Sequence, residues 1–157
     1  MNIASSEFTE LGSQMVLPLF EGVDKAPNNS LSGLSRSQRS LVKDALSSGS
    51  FDGKKGKRMT LWTPGCNIVL VGMGEKDSLG HKRARNTGAR LIASMSKKKG
   101  IDVTVRFTSG WSVERMIDFA EGMLLRDYEF LEHQESPKDH ISDPWNVSFQ
   151  ASSRYQA

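Results

Sequence analysis

The segment Val71-Gly72-Met73-Gly74-Glu75-Lys76-Asp77 holds the most chemical promise in the chain. It leaves the apolar run Ile68–Val71 and leads into a helical pattern. Glycines at such a passage let the backbone come close to a phosphate, and a helix N-terminus favours an anion. Gly72 and Gly74 are therefore candidate ligand-binding residues. A dinucleotide-binding fingerprint needs a third glycine, and Asp77 stands in its place, where a carboxylate opposes phosphate. The same residues also suit a tight turn that needs unusual backbone angles.

Three basic clusters come next: Lys54-Lys55-Lys57-Arg58, His81-Lys82-Arg83-Arg85 and Lys97-Lys98-Lys99. Lys54, Lys55, Lys97, Lys98 and Lys99 are the candidates for a basic patch. No aromatic residue is interleaved with them, so base stacking is not supplied. Taken singly, they read as solvated loop and helix faces. Brought onto one face, they would make a salt-sensitive site for phosphate or nucleic acid.

Other groups carry less. His81, His133 and His140 are the only histidines, and Cys66 is the only cysteine. No pair of them has metal-ligand spacing. Cys66 sits at the entry to an apolar strand and reads as a small buried hydrophobe. Glu114 and Asp118 lie one helical turn apart, but nothing around them marks an acid and a base. No catalytic or metal-binding residue is expected in this chain.

The elements that must position these residues follow from periodicity. Met15–Phe20 reads as a buried strand, with Pro18 placing it at an edge or at a strand end. Residues 24–33 read as a loop. Residues 35–48 form a helix capped by Ser35 and Gln38 and stopped at Gly49. Arg58–Trp62 is a strand, and Ile68–Val71 is a strand covered on both faces. Residues 78–99 read as a helix with Ala84, Leu91, Ile92 and Met95 inward. Ile101–Phe107 alternates cleanly and reads as a half-exposed strand, with Asp102, Thr104 and Arg106 facing solvent. Residues 112–126 form a helix with Val113, Met116, Ile117, Ala120, Met123 and Leu124 on its inner face. Residues 132–143 read as a linker, and Trp145, Val147 and Phe149 alternate in a last strand. This order argues for an α/β domain with a mixed, mostly parallel sheet flanked by helices.

Composition agrees with a globular domain: 157 residues, 37% hydrophobic and 25% charged. The longest apolar runs are far short of the roughly 20 residues a membrane-spanning helix needs, so no membrane partner is expected. A lone thiol and a first segment without a basic-then-apolar pattern point to the cytoplasm. The net charge of +3 permits contact with nucleic acid without arguing for it.

Three blocks resemble the amino-terminal domain of the leucyl aminopeptidase (cytosol aminopeptidase) family. They are Ser48-Gly49-Ser50-Phe51-Asp52-Gly53-Lys54-Lys55-Gly56, Ile68-Val69-Leu70-Val71-Gly72-Met73-Gly74, and Ala120-Glu121-Gly122-Met123-Leu124-Leu125-Arg126-Asp127-Tyr128-Glu129-Phe130. The resemblance implies a three-layer, macro-like domain over residues 1–150, followed by a tail at 151–157. It implies a non-catalytic domain that contributes to a homo-oligomer, a hexamer in the family. Its other partner would be a catalytic domain beyond this chain, which uses two divalent metals, zinc or manganese, to remove N-terminal residues. The segment Asn86-Thr87-Gly88-Ala89-Arg90-Leu91 partly matches the family's metal motif but lacks both carboxylates. No metal ligand therefore carries over, and no cofactor is expected in the chain itself. The expectation is a fragment of a longer aminopeptidase. The alternatives are a stand-alone macro-like module binding a nucleotide or ADP-ribose-type ligand at Gly72 and Gly74, and a weak nucleic-acid-binding domain using the basic clusters.

Overall fold

The computed structural model describes residues 2–5, 12–25, 28–95, 102–132 and 146–151. The elements are β1 (Asn2–Ser5), β2 (Gln14–Leu19), a 3-10 turn (Asn28–Leu31), α1 (Arg36–Ser47), β3 (Arg58–Leu61), β4 (Asn67–Gly72), α2 (His81–Met95), β5 (Asp102–Arg106), α3 (Val113–Glu132) and β6 (Asn146–Gln150). The strands make one sheet in the order β1-β6-β5-β2-β4-β3. Every pairing is parallel except that of β3 with β4. The expected mixed, mostly parallel α/β fold is the fold observed.

Strand alternation divides the core into two. Met15, Leu17, Leu19, Ile68 and Leu70 point to one face and pack against Val42, Ala45 and Leu46 of α1. Val16, Val69, Val71, Val103, Val105 and Val147 point to the other and meet α2 and α3. A strand buried on both faces cannot alternate in polarity, which is why β4 is a continuous apolar run. The α1 start is set as the sequence indicates. Ser35 Oγ accepts from Gln38 N–H at 3.2 Å, and Gln38 Oε1 accepts from Ser35 N–H at 2.9 Å.

Four expectations are corrected. Of the two alternatives for Pro18, the edge is wrong and the strand end is right: it lies in a central strand, one residue from its end, and its missing N–H is tolerated because β5 pairs only with Gln14–Val16, short of Pro18. The Pro18 carbonyl accepts from Trp111 Nε1 at 3.2 Å. β5 is not half-exposed, since Thr104 and Arg106 are buried along with its valines. Arg106 Nε and Nη2 donate to Gln150 Oε1 at 2.9 and 2.7 Å, and Nη1 donates to the carbonyls of Ser30 and Ser32. Burial pushes its guanidinium down to about 10, still a cation at neutral pH. In α3 the inward residues are Met116, Phe119 and Met123, while Val113, Ile117 and Leu124 face outward. Helix α2 begins at His81, not at residue 78. β1 was not anticipated. Glu132, the first residue of the expected 132–143 linker, closes α3, and residues 133–143, residues 96–99 of the expected helix, Ile101 and Trp145 lie outside the described residues.

The phase of α3 is set by two glycines. A Cβ on Gly122 would stand 1.9 Å from the Arg85 carbonyl oxygen, and one on Gly88 would stand 2.1 Å from that of Phe119. The two helices touch backbone to backbone at both points. That contact carries Phe119 into the aromatic cluster, with its ring 5.7 Å from Phe107 and 5.8 Å from Trp111, both edge to face. Burying one such ring stabilises by about 1.5–3 kcal/mol.

Candidate functional site

The C-terminal end of β4 and the turn before β3 form one unit. Gly72 N–H donates to the Lys57 carbonyl at 2.7 Å, Gly74 N–H to that of Gly53 at 2.9 Å, and Gly56 N–H to that of Gly72 at 3.2 Å. Met73 N–H donates to the Leu19 carbonyl at 2.9 Å. A Cβ on Gly72 would meet the Lys54 carbonyl oxygen at 2.0 Å, and Gly53 and Gly74 have φ of +73° and +76°. These glycines are required by the close approach of two backbones. The amides of Gly72, Met73 and Gly74 all point at protein carbonyls, so this strand end presents side chains, not a phosphate-cradling backbone.

Those side chains are basic. Between the 55–58 turn and α2 lies a cavity of about 470 Å³. Its wall carries Lys55, Lys57, Arg58, Lys82, Arg83 and Arg90, and no carboxylate. Gly72, Val71 and Leu91 also line it, with Asn86 and Thr87 as neutral polar groups. Sheet and helix thus bring Lys55, Lys57 and Arg58 of the first sequence cluster together with Lys82 and Arg83 of the second, while His81 and Arg85 turn to the α2–α3 seam. Lys55 and Gly72 line the cavity. Gly74 lies beside it, since a Cβ there would sit 3.1 Å from Lys55 Cβ and 3.5 Å from Arg83 Nη1. Lys54 is outside, paired with Asp52 at 3.5 Å. Lys97, Lys98 and Lys99 lie outside the described residues.

Arg90 escaped the reading of the sequence because it belongs to no run of cations. It follows Arg83 by seven residues and Asn86 by four, so it shares their helix face. Helical spacing, not clustering, was the signal that could have found it. Two guanidiniums are already oriented: Arg83 Nη1 donates to Ser78 Oγ at 2.7 Å, and Arg58 Nη1 donates to Ser94 Oγ. Lys57 lies 3.4 Å from Asp52. Lys55, Arg58, Lys82, Arg83 and Arg90 form no ion pair among the described residues.

The remaining chemical groups are structural. Asp118 is buried between α2 and α3, with Arg115 Nη1 at 3.1 Å, Arg85 Nη2 at 3.4 Å and His81 Nδ1 at 2.6 Å. Burial alone would raise its carboxyl, but the hydrogen bonds and charges of His81 and Arg115 hold it below the usual carboxylate range. Glu114 is exposed and takes no part. Cys66 is buried, and desolvation pushes its thiol up, away from reactivity. Among the described residues no three His, Cys, Asp or Glu groups converge to hold a metal ion. These side chains do not fit a two-metal peptidase centre.

A six-stranded, mostly parallel sheet between α1 and the α2–α3 pair, with a glycine-built strand end, defines the class of domain. Over residues 16–137 the sequence matches the profile of the cytosol aminopeptidase family, N-terminal domain. The chain belongs to that family, as its N-terminal domain. A tomato leucine aminopeptidase mutant has a similar fold, with a TM-score of 0.69 and 21% identity over 97% of this chain and 32% of that one. The bottromycin maturation enzyme BotP follows, with a TM-score of 0.50 and 14% identity over 92% of this chain and 28% of that one. The chain thus spans about a third of the length of these structures. Comparison with curated protein sequences gives no match.

Proposed function

We propose that this domain is the non-catalytic, architectural part of a longer metalloaminopeptidase that removes N-terminal residues from peptides. Peptide hydrolysis and its two divalent metals, zinc or manganese, belong in this reading to a catalytic portion outside these 157 residues. The observation that carries it is coverage. Nearly the whole chain, 97%, corresponds to only 32% of the tomato aminopeptidase, which leaves two thirds of that protein without a counterpart here. The outward face of α3 supports a role in assembly. Ile117 and Leu125 are 53% and 54% exposed, and Val113 and Leu124 share that side of the helix. Such a stripe suits contact with the catalytic portion or with another subunit of a homo-oligomer, a hexamer in the family. The setting is cytoplasmic.

The test is direct. The purified 157-residue protein is incubated with a leucine amide substrate and either manganese or zinc. The expected rate equals that of metal and buffer alone. Saturable hydrolysis by the pure chain would overturn the reading.

A further inference from the structure

The cavity between the 55–58 turn and α2 has no role in that architecture. Its volume of about 470 Å³ lies within the roughly 300–1,000 Å³ typical of small-molecule sites. Five of its six cations lack an ion-pair partner among the described residues. On the other side of α2, Arg85 is matched by Glu121 at 2.7 Å, and Arg115 of α3 by Asp118 at 3.1 Å. Unmatched like charges around a concavity repel one another and focus a positive potential into it. A compact anion of several charges relieves that repulsion.

The wall narrows the choice. Arg58, Arg83 and Arg90 supply planar forks that match phosphate oxygens in pairs, and Lys55 and Lys82 add point charges. One carboxylate would leave most of them unanswered. The cations ring a hollow and do not run in a stripe, and no aromatic side chain lines it for base stacking. Val71 and Leu91, with Asn86 and Thr87 beside them, offer an apolar and hydrogen-bonding wall to an organic appendage. We infer that this cavity binds a small molecule carrying two or three linked phosphates, held by Lys55, Arg58, Lys82, Arg83 and Arg90.

Titration calorimetry of the 157-residue protein tests this with inorganic tripolyphosphate, ATP, adenosine and a short DNA duplex. Tripolyphosphate and ATP should each bind saturably at one site, and adenosine should not. Equal affinity for the two phosphate probes assigns the phosphate chain as ligand; tighter ATP binding adds the nucleoside on the Val71 and Leu91 wall. The double variant Arg83→Gln with Arg90→Gln should lose about tenfold per guanidinium. Arg36→Gln with Lys43→Gln removes the same charge from α1, across the sheet, and should change affinity less than about twofold. Lys55→Gln with Lys82→Gln touches no internal bond of the described residues, and it repeats the test should loss of the Arg83–Ser78 bond disturb the fold. Absence of saturable binding by either phosphate probe overturns the proposal. So do equal losses in the cavity and α1 variants, and so does tighter, salt-steep binding of the duplex.

Discussion

Cations on the two sides of α2 meet opposite fates. Arg85, together with Arg115 of α3, closes onto the carboxylates of Asp118 and Glu121, and the α2–α3 seam is neutralised from within. Lys82, Arg83 and Arg90, turned away from Arg85 around the same helix by about a sixth of a turn for Lys82 and nearly half a turn for the two arginines, face a cavity with no carboxylate on its wall. Residue type does not distinguish the two sets. What differs is the partner element. The seam faces a helix that brings acids, and the cavity faces a turn that brings Lys55, Lys57 and Arg58. Matched charge marks packing; unmatched charge in a hollow marks a place that something else fills.

The largest effect should come from breaking the seam where backbones touch. Gly122→Ala gains about 1 kcal/mol of helix propensity. Against that, its Cβ would lie 1.9 Å from the Arg85 carbonyl, and forcing α2 and α3 apart costs about 3 kcal/mol. Separation wins, so the variant should be destabilised by about 2 kcal/mol in urea unfolding. Its affinity for phosphate probes, read on the folded fraction, should survive, because the cavity is built from the other face of α2. Unchanged stability would mean that the close approach is not what sets the helix crossing.

Asp118→Asn attacks the same seam through charge. It leaves Arg115 and His81 with a neutral partner, at a cost of about 1–3 kcal/mol. The sign with pH follows from the depressed carboxyl. Asp118 titrates lower folded than unfolded, so its contribution is full above the ordinary value of 3.8 and is lost as pH falls through the folded value. Unfolding midpoints of parent and variant should therefore stand apart near neutrality and converge in acid. A gap that persists below the carboxylate range would assign the loss to packing.

Much of this contrast was legible, and the misses have physical causes. Glycines quoted as family blocks mark close backbone approaches: Gly72 joins the second block to the first, Gly53 meets the Phe20 carbonyl just past β2, and Gly122 joins the third block to α2. The β4 run announced its two covered faces. Arg106 and Thr104 misled because polarity was read as exposure, whereas Gln150 and two carbonyls receive the guanidinium inside the fold. α3 was legible as a helix but not in phase, since Phe119 turns inward only once Gly88 and Gly122 fix the crossing. β1 has four residues, and its backbone ladder with β6 leaves no periodic signal to read. The cavity could not be read from runs of charge, because half its cations come from the turn into β3 and Arg90 stands alone in sequence.

Asp52 offers the smallest and sharpest change, since among the described residues it is the one carboxylate paired with a cation of the cavity wall. The Lys54 N–H bond leads in holding its carboxyl below the usual range, and Lys57 adds to it. Asp52→Asn keeps an oxygen for that N–H and releases Lys57. The exposed pairs with Lys54 and Lys57 contribute little to folding, so the thermal midpoint should stay at the parent value. Tripolyphosphate should bind about twofold tighter, the scale of one exposed charge freed from its partner in screened solvent. The gain should fade as salt shortens the reach of the field. An unchanged affinity at low salt would place Lys57 outside the ligand's reach and confine the site to the turn's other cations and α2.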